Sequence, residues 1–345
     1  MGFLGKNMSN NPTTETGAQR LPLKALYQWE ALRFGMFIHF GMATFDGDEF
    51  SRGDQPSTVY APDKLDVSQW IAVARDAGMK YAVLTTKHVA GHCLWPSAHT
   101  DYHVGTSGNR TDVVEAFVTA CRKAEILPGL YYCSWDNHNR FGSATPTFSL
   151  DGRVRQTLWE HSFATREYEE FQYRQMEELA TRYGDIVEFW IDIPGVLSAA
   201  FRHQLYNRLA EFQPHALILM NKGIQTGGKP AFNAWPTDLL NYETEVPGYH
   251  VHPGGTAGHQ SWHDFAGWPY YLPGEVCDTV NPHWFWVEGD KPKSDIELLG
   301  HALLCRSRGC NQLLDVGPDR HGLIPADEIG ALQRLRKNLD ALGVW

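Results

Sequence analysis

Val187-Glu188-Phe189-Trp190-Ile191-Asp192 is an apolar run that ends on an acid, and Ile193-Pro194-Gly195 breaks it at once. Aromatic and β-branched residues favour extended chain, so Ile186–Ile191 reads as a buried strand with Asp192 at its carboxyl end. An acid in that position is poised at a site rather than on a solvated face. The arrangement recurs along the chain. Lys87-His88 and Tyr131-Tyr132 each close an apolar run upstream, and Glu243-Thr244-Glu245 lies downstream. Polar groups that repeat at strand ends predict an α/β fold of the single (β/α)8, TIM-type barrel class, whose site gathers residues from several strand C-termini. Two carboxylates in such a site suggest glycoside hydrolysis.

Working outward, strands are expected at Phe34–Phe40, Lys80–Thr85, Leu127–Cys133, Ala216–Met220 and Asn311–Val316, with a short one at Leu239–Tyr242. Helices are expected at Leu21–Arg33, Asp66–Gly78, Val113–Ala124 (capped by Asp112), Glu167–Tyr183, Phe201–Phe212, Lys293–Arg308 and Ala326–Leu342. This strand–helix alternation is the α/β signature. Residues 140–165 read as a long loop at the site face, and residues 223–274, rich in Gly and Pro, as barrel loops. Residues 1–20 are polar and are expected to be a disordered tail, leaving 21–345 as one catalytic barrel.

The chain has 345 residues and a formal charge of −10, with no basic run. Phosphate binding needs clustered Lys and Arg, so nucleic acid is not an expected partner. There is no apolar signal region and no run long enough to span a bilayer, so a cytoplasmic protein without membrane attachment is expected. The six cysteines form no CxxC pair and several sit in apolar patterns, which predicts buried free thiols. Twelve Trp and fourteen Tyr mostly fill a core, yet aromatic rings also stack on sugars. No HxH or HExxH spacing indicates a metal, and no Walker or GxGxxG loop indicates a nucleotide, so no cofactor is expected.

Asp192 is the best nucleophile candidate. The general acid must come from another loop, and Glu243, Glu245, Glu275 and Glu49 are all candidates. No spacing rule selects one, because the two groups meet only in the fold. His39 and His88 end strands at equivalent barrel positions and can hydrogen-bond sugar hydroxyls. Trp95 and Trp135 are candidate sugar platforms.

These residues resemble glycoside hydrolase family 29, the α-L-fucosidases, from about Phe34 to Leu335. The matching stretches are Phe37-Ile-His-Phe-Gly41, Lys87-His88, Cys93-Leu-Trp-Pro-Ser97, Gly129-Leu-Tyr131, Ser134-Trp-Asp136, Glu188-Phe-Trp-Ile-Asp192, Glu243-Thr-Glu245, Gly274-Glu275, Trp284-Phe285 and Leu313-Leu-Asp-Val-Gly-Pro318. The likeness is greatest to the branch that cleaves α-1,3/1,4 linkages. The resemblance implies a retaining, exo-acting enzyme on fucosylated or related glycans. Asp192 falls on the nucleophile and Glu245 on the acid/base; His39, Glu49, His88, Tyr131 and Trp135 fall on sugar-contacting or site-lining positions. Many relatives continue into a β-sandwich, whereas only the barrel is expected here. The family's Lys-His-His-Asp-Gly-Phe reads Lys87-His88-Val89-Ala90-Gly91-His92, so one sugar-contacting His is lost, and His92 is expected to reach the same place. Glu275 is expected to line a subsite. The departures leave open a glycosidase for another L-sugar, or a sugar-binding relative without catalysis.

Overall fold

A computed structural model describes residues 16–139, 164–221, 224–225, 229–230, 235–248, 258–265 and 267–344. Eight parallel strands form one sheet: β1 (Phe34–Ile38), β2 (Tyr81–Lys87), β3 (Leu127–Cys133), β4 (Glu188–Asp192), β5 (Leu217–Met220), β6 (Leu240–Glu243), β7 (Gly274–Thr279) and β8 (Cys310–Val316). Their order is β5-β4-β3-β2-β1-β8-β7-β6. This is the expected barrel, with a seam between β5 and β6. Across the seam, Asp238 N donates to Ile218 O at 2.9 Å. Its strands are buried on both faces, as parallel sheets require; every residue of β2 and of β8 is buried.

Around the sheet run α2 (Val67–Asp76), α3 (Val113–Lys123), α4 (Arg166–Arg182), α5 (Ala199–Phe212), α6 (Asp295–Ser307) and α7 (Ala326–Leu342). Short polar side chains start most of them, each taking up a backbone N–H the helix cannot satisfy. Asp112 accepts from Glu115 N at 3.0 Å, as expected. Ser294 and Glu297 form a capping box before α6. The helix Leu23–Glu30 (α1) closes the amino-terminal end of the barrel, where the Trp29 carbonyl accepts from Asn311 at 2.8 Å.

Three expectations need correction. Gly274–Thr279 is a strand, where no element was expected between the loops ending at 274 and the helix from Lys293. Between β6 and β7 the described residues carry an antiparallel hairpin, Trp262–Phe265 with Trp268–Tyr271, where only barrel loops were expected. The expected tail also ends sooner: Arg20 donates to Pro214 O, Ala216 O and Asp238 beneath the barrel. The rest of that tail (1–15) and most of the 140–165 loop (140–163) lie outside the described residues.

Register decides what faces inward, since paired residues in parallel strands share a face and alternate along each strand. Phe37 pairs with Val83 and with Asp315, Gly129 with Glu188, Tyr131 with Trp190, and Cys133 with Asp192. The ring of Phe37 lies 5.3 Å from Trp190 and 5.8 Å from Tyr131 across the interior. The inward set therefore rises from Glu188 through Trp190 to Asp192 on β4, and from Asn311 through Leu313 to Asp315 on β8.

Candidate active site

Asp192 is the last residue of β4 and half-buried. Its carboxylate is held on both oxygens. Tyr131 Oη donates to Oδ2 at 2.8 Å, while Asn221 Nδ2 and Ile193 N donate to Oδ1 at 2.7 and 3.0 Å. Ile193 has φ of 50°, in the left-handed region that a β-branched residue rarely adopts. That turn brings its N–H back onto the preceding side chain. Burial first, and Asp192 second, push the Tyr131 phenol well above its ordinary range, so it remains a donor.

His39 follows β1 with Nδ1 2.7 Å from Asp315 Oδ1, both groups buried. His88 stacks on Tyr131 at 5.7 Å and stands 5.8 Å from the His39 ring. Burial pushes His88 down to about 3, offset in part by the main chain of Glu49. Burial and the neighbouring His88 likewise hold His39 well below its ordinary range. Both rings are neutral near pH 7. Trp284 and Phe285, which follow β7, each pack 5.2 Å from His39. The result is a carboxylate at the carboxyl end of the barrel, beside neutral hydrogen-bonding rings and an aromatic wall. It suits an uncharged, hydroxyl-rich ring with one reactive centre.

The structure brings Asp192, Tyr131, His39, His88 and Glu49 together; Glu49 lies close enough to act electrostatically on Asp315. Glu243 ends β6 exposed, on the inward side opposite Cys277, which both Glu243 and Asp192 influence electrostatically. Thr244, with φ of 57°, turns the chain, and Glu245 emerges exposed beyond it. Trp135 is buried where the chain leaves β3, its Nε1 bonded to Asn137 at 2.8 Å.

Three expected site residues lie elsewhere. Glu275 is the second residue of β7, not its end, and so sits on the barrel floor, where it accepts from Tyr81, Asn241 and Trp190 at 2.8, 3.1 and 3.0 Å. His92 bonds Ser107 at 2.8 Å among Tyr60 and Tyr102, and does not replace the missing His. Trp95 is fully buried, with Nε1 bonded to Glu178 on α4 at 2.8 Å, so it is core. Asn221, Trp284 and Asp315 were not foreseen as site residues. Asp315 carried the same signal as Asp192, an acid near the end of an apolar strand.

Alpha-L-fucosidase 1 of Arabidopsis thaliana is 31% identical over 333 residues, covering 91% of this chain and 59% of that protein. The chain thus spans well under two thirds of that relative's length. The solved structure of alpha-L-fucosidase isoenzyme 1 from Paenibacillus thiaminolyticus superposes with a TM-score of 0.74 at 26% identity, over 93% of this chain and 76% of that one. The sequence pattern described as alpha-L-fucosidase matches residues 5–344, and with nearly the whole chain matched, this protein belongs to the alpha-L-fucosidase family.

Proposed function

We propose that this protein is a retaining, exo-acting glycoside hydrolase of α-L-fucosidase-like specificity, acting on fucosylated or related glycans. The observation that carries the reading is the Asp192 carboxylate, fixed on both oxygens by Tyr131, Asn221 and Ile193 N. Three donors suit an ionised, acceptor-only carboxylate held in one orientation, which is what a nucleophile attacking a sugar carbon needs. Attack expels the aglycone and forms a glycosyl ester on Asp192. A second carboxyl protonates the leaving oxygen and then takes a proton from the water that cleaves the ester. Glu245 has that role by resemblance. Glu243, inward at the rim of β6, is the alternative, while the floor position of Glu275 removes it from consideration. His39 and His88, neutral and beside Asp192, supply hydrogen bonds to sugar hydroxyls without adding charge.

A second reading, a glycosidase for another L-sugar related to fucose, is favoured by Val89. Val89 is completely buried, and His92 points into a separate cluster, so the donor lost at position 89 is not restored. The test is turnover of aryl α-L-fucoside, α-L-galactoside and β-L-arabinoside by the wild type and by Asp192→Gly. The variant should be inactive, and azide should restore glycosyl transfer and yield a glycosyl azide of inverted configuration. Near-normal activity in the variant would exclude Asp192 as nucleophile. No turnover of any glycoside by the wild type would favour a sugar-binding protein without catalysis.

A further inference from the structure

We propose, resting on the reading of His39 as a sugar contact, that Asp315 is a positioning residue that keeps His39 a hydrogen-bond donor toward the ligand. A neutral imidazole has one N–H, and the partner of one ring nitrogen decides what the other presents. His39 Nδ1 faces Asp315 Oδ1 at 2.7 Å. Its Nε2 is bonded to no described residue and, unlike the Nδ1 of His88, is not sealed from solvent. If the pair held a single proton, Asp315 would be ionised, Nδ1 would carry the hydrogen, and Nε2 would be a bare acceptor. If the pair holds two, Nε2 carries a hydrogen whichever of Asp315 and Nδ1 takes the shared one.

The surroundings choose the second state. A one-proton pair has a net charge of −1, and it would be buried among further carboxyls. Glu49 reaches Asp315 from the loop after β1, Asp278 from β7 and Glu328 from α7. Lys293, 2.8 Å from Asp278, neutralises that group, and His301 is 3.7 Å from the same Asp278; among the described residues Asp315 has no ion-pair partner but His39. Asp315 Oδ2 has no hydrogen-bond partner among the described residues, and neither has Glu328 Oε2. A buried carboxylate oxygen with no donor, beside other carboxyls, is strongly disfavoured. Burial and those neighbours push the Asp315 carboxyl well above its ordinary range, and Glu328 up to about 8. The pair therefore retains both protons and Nε2–H points outward. The ligand atom it meets is an acceptor, a hydroxyl or ring oxygen. A protonated amine in that place is rejected.

Histidine NMR on the full-length, 15N-histidine-labelled protein without ligand reads the tautomer directly, with the His39 signals assigned by their loss in His39→Gln. The expected result is a protonated Nε2 between about pH 5.5 and 8.5, with no titration of that ring. A bare Nε2 with a protonated Nδ1 overturns the assignment. Asp315→Asn cannot ionise and can still donate to Nδ1. It should keep the Nε2–H signature and hold KM for an aryl α-L-fucoside within about twofold, whereas Asp315→Ala should raise KM at least about fivefold with a smaller change in kcat. Equal KM for Asp315→Ala and wild type also overturns it. Should either variant fail to fold, the wild-type spectrum still decides. An Nε2–H signature in a protein that turns over no fucoside supports the role of Asp315 while defeating the fucosidase reading.

Discussion

Glu188→Gln should stabilise this protein by an amount that grows with pH. Glu188 and Glu275 share the barrel floor, and both are buried. Glu275 accepts from Tyr81, Trp190 and Asn241, whereas neither oxygen of Glu188 is hydrogen-bonded among the described residues. The Trp29 indole is nearby but its Nε1 is also unpaired. Burial raises Glu275 as well, to about 7, but its three donors favour the ionised form, so of the pair Glu275 ionises first and Glu188 keeps its proton. Burial and Glu275 push Glu188 well above its ordinary range. In the unfolded chain Glu188 ionises near pH ~4.3. Above that value the folded state binds the extra proton, so stability falls as pH rises toward the elevated folded value. The slope is about 1.4 kcal/mol per pH unit, which makes the wild type lose about 2.5 kcal/mol between pH 5 and 7 that the Gln variant keeps. For a chain of 345 residues, with an unfolding entropy of about 0.7 kcal/mol/K, that amounts to about 3–4 °C. Urea unfolding of both proteins, followed by tryptophan fluorescence at several pH values, measures the difference. Parallel pH profiles, or a variant that is the weaker of the two at neutral pH, would refute the placement of the proton on Glu188.

Other substitutions separate the remaining roles. Glu245→Gln should cost far more on an oligosaccharide than on an activated aryl glycoside, with azide rescue at retained configuration; if Glu243→Gln behaves that way instead, the acid/base is Glu243. Val89→His should improve weak activity on an aryl α-L-fucoside, and an unchanged or lower rate would point to a pocket shaped for another sugar. Lys87 donates to Asp136 at 2.5 Å and to Tyr168 at 3.1 Å, fully buried, so Lys87→Met should destabilise by about 3–5 kcal/mol by stranding a carboxylate. A denaturation midpoint within error of the wild type would mean that Asp136 is neutral without its partner.

The barrel was legible because most strands carry an apolar run and most helices around them open on a capping side chain, as Asp66, Asp112 and Ser294 do. β7 was not, because Gly274, Glu275 and Asp278 interrupt it; those polar groups are satisfied by cross-barrel partners such as Tyr81 and by Lys293, which no local pattern reveals. The site was legible where polarity coincides with the end of a strand. Asp192, His39, Tyr131 and His88 meet that condition and converge. Glu275 failed because a carboxyl at the start of a strand occupies the opposite end of the barrel from one at its finish. His92 failed because three residues of loop suffice to turn a side chain into a different neighbourhood.

The seam between β5 and β6 leaves the sheet with two edges, and an unpaired strand edge is how one chain recruits another. Here the β5 edge is already spent. Asp238 Oδ2 accepts from Ile218 N at 2.9 Å and Thr237 Oγ1 from Met220 N at 3.2 Å, so the alternate donors that face away from β4 are taken by side chains. The same Asp238 also grips Arg20 at 2.6 Å and Tyr206 at 2.5 Å. One carboxylate thus fills the strand edge on which a second chain could pair, away from Asp192. Damage there is expected to appear as precipitation on warming, with the remaining soluble fraction keeping the native fold.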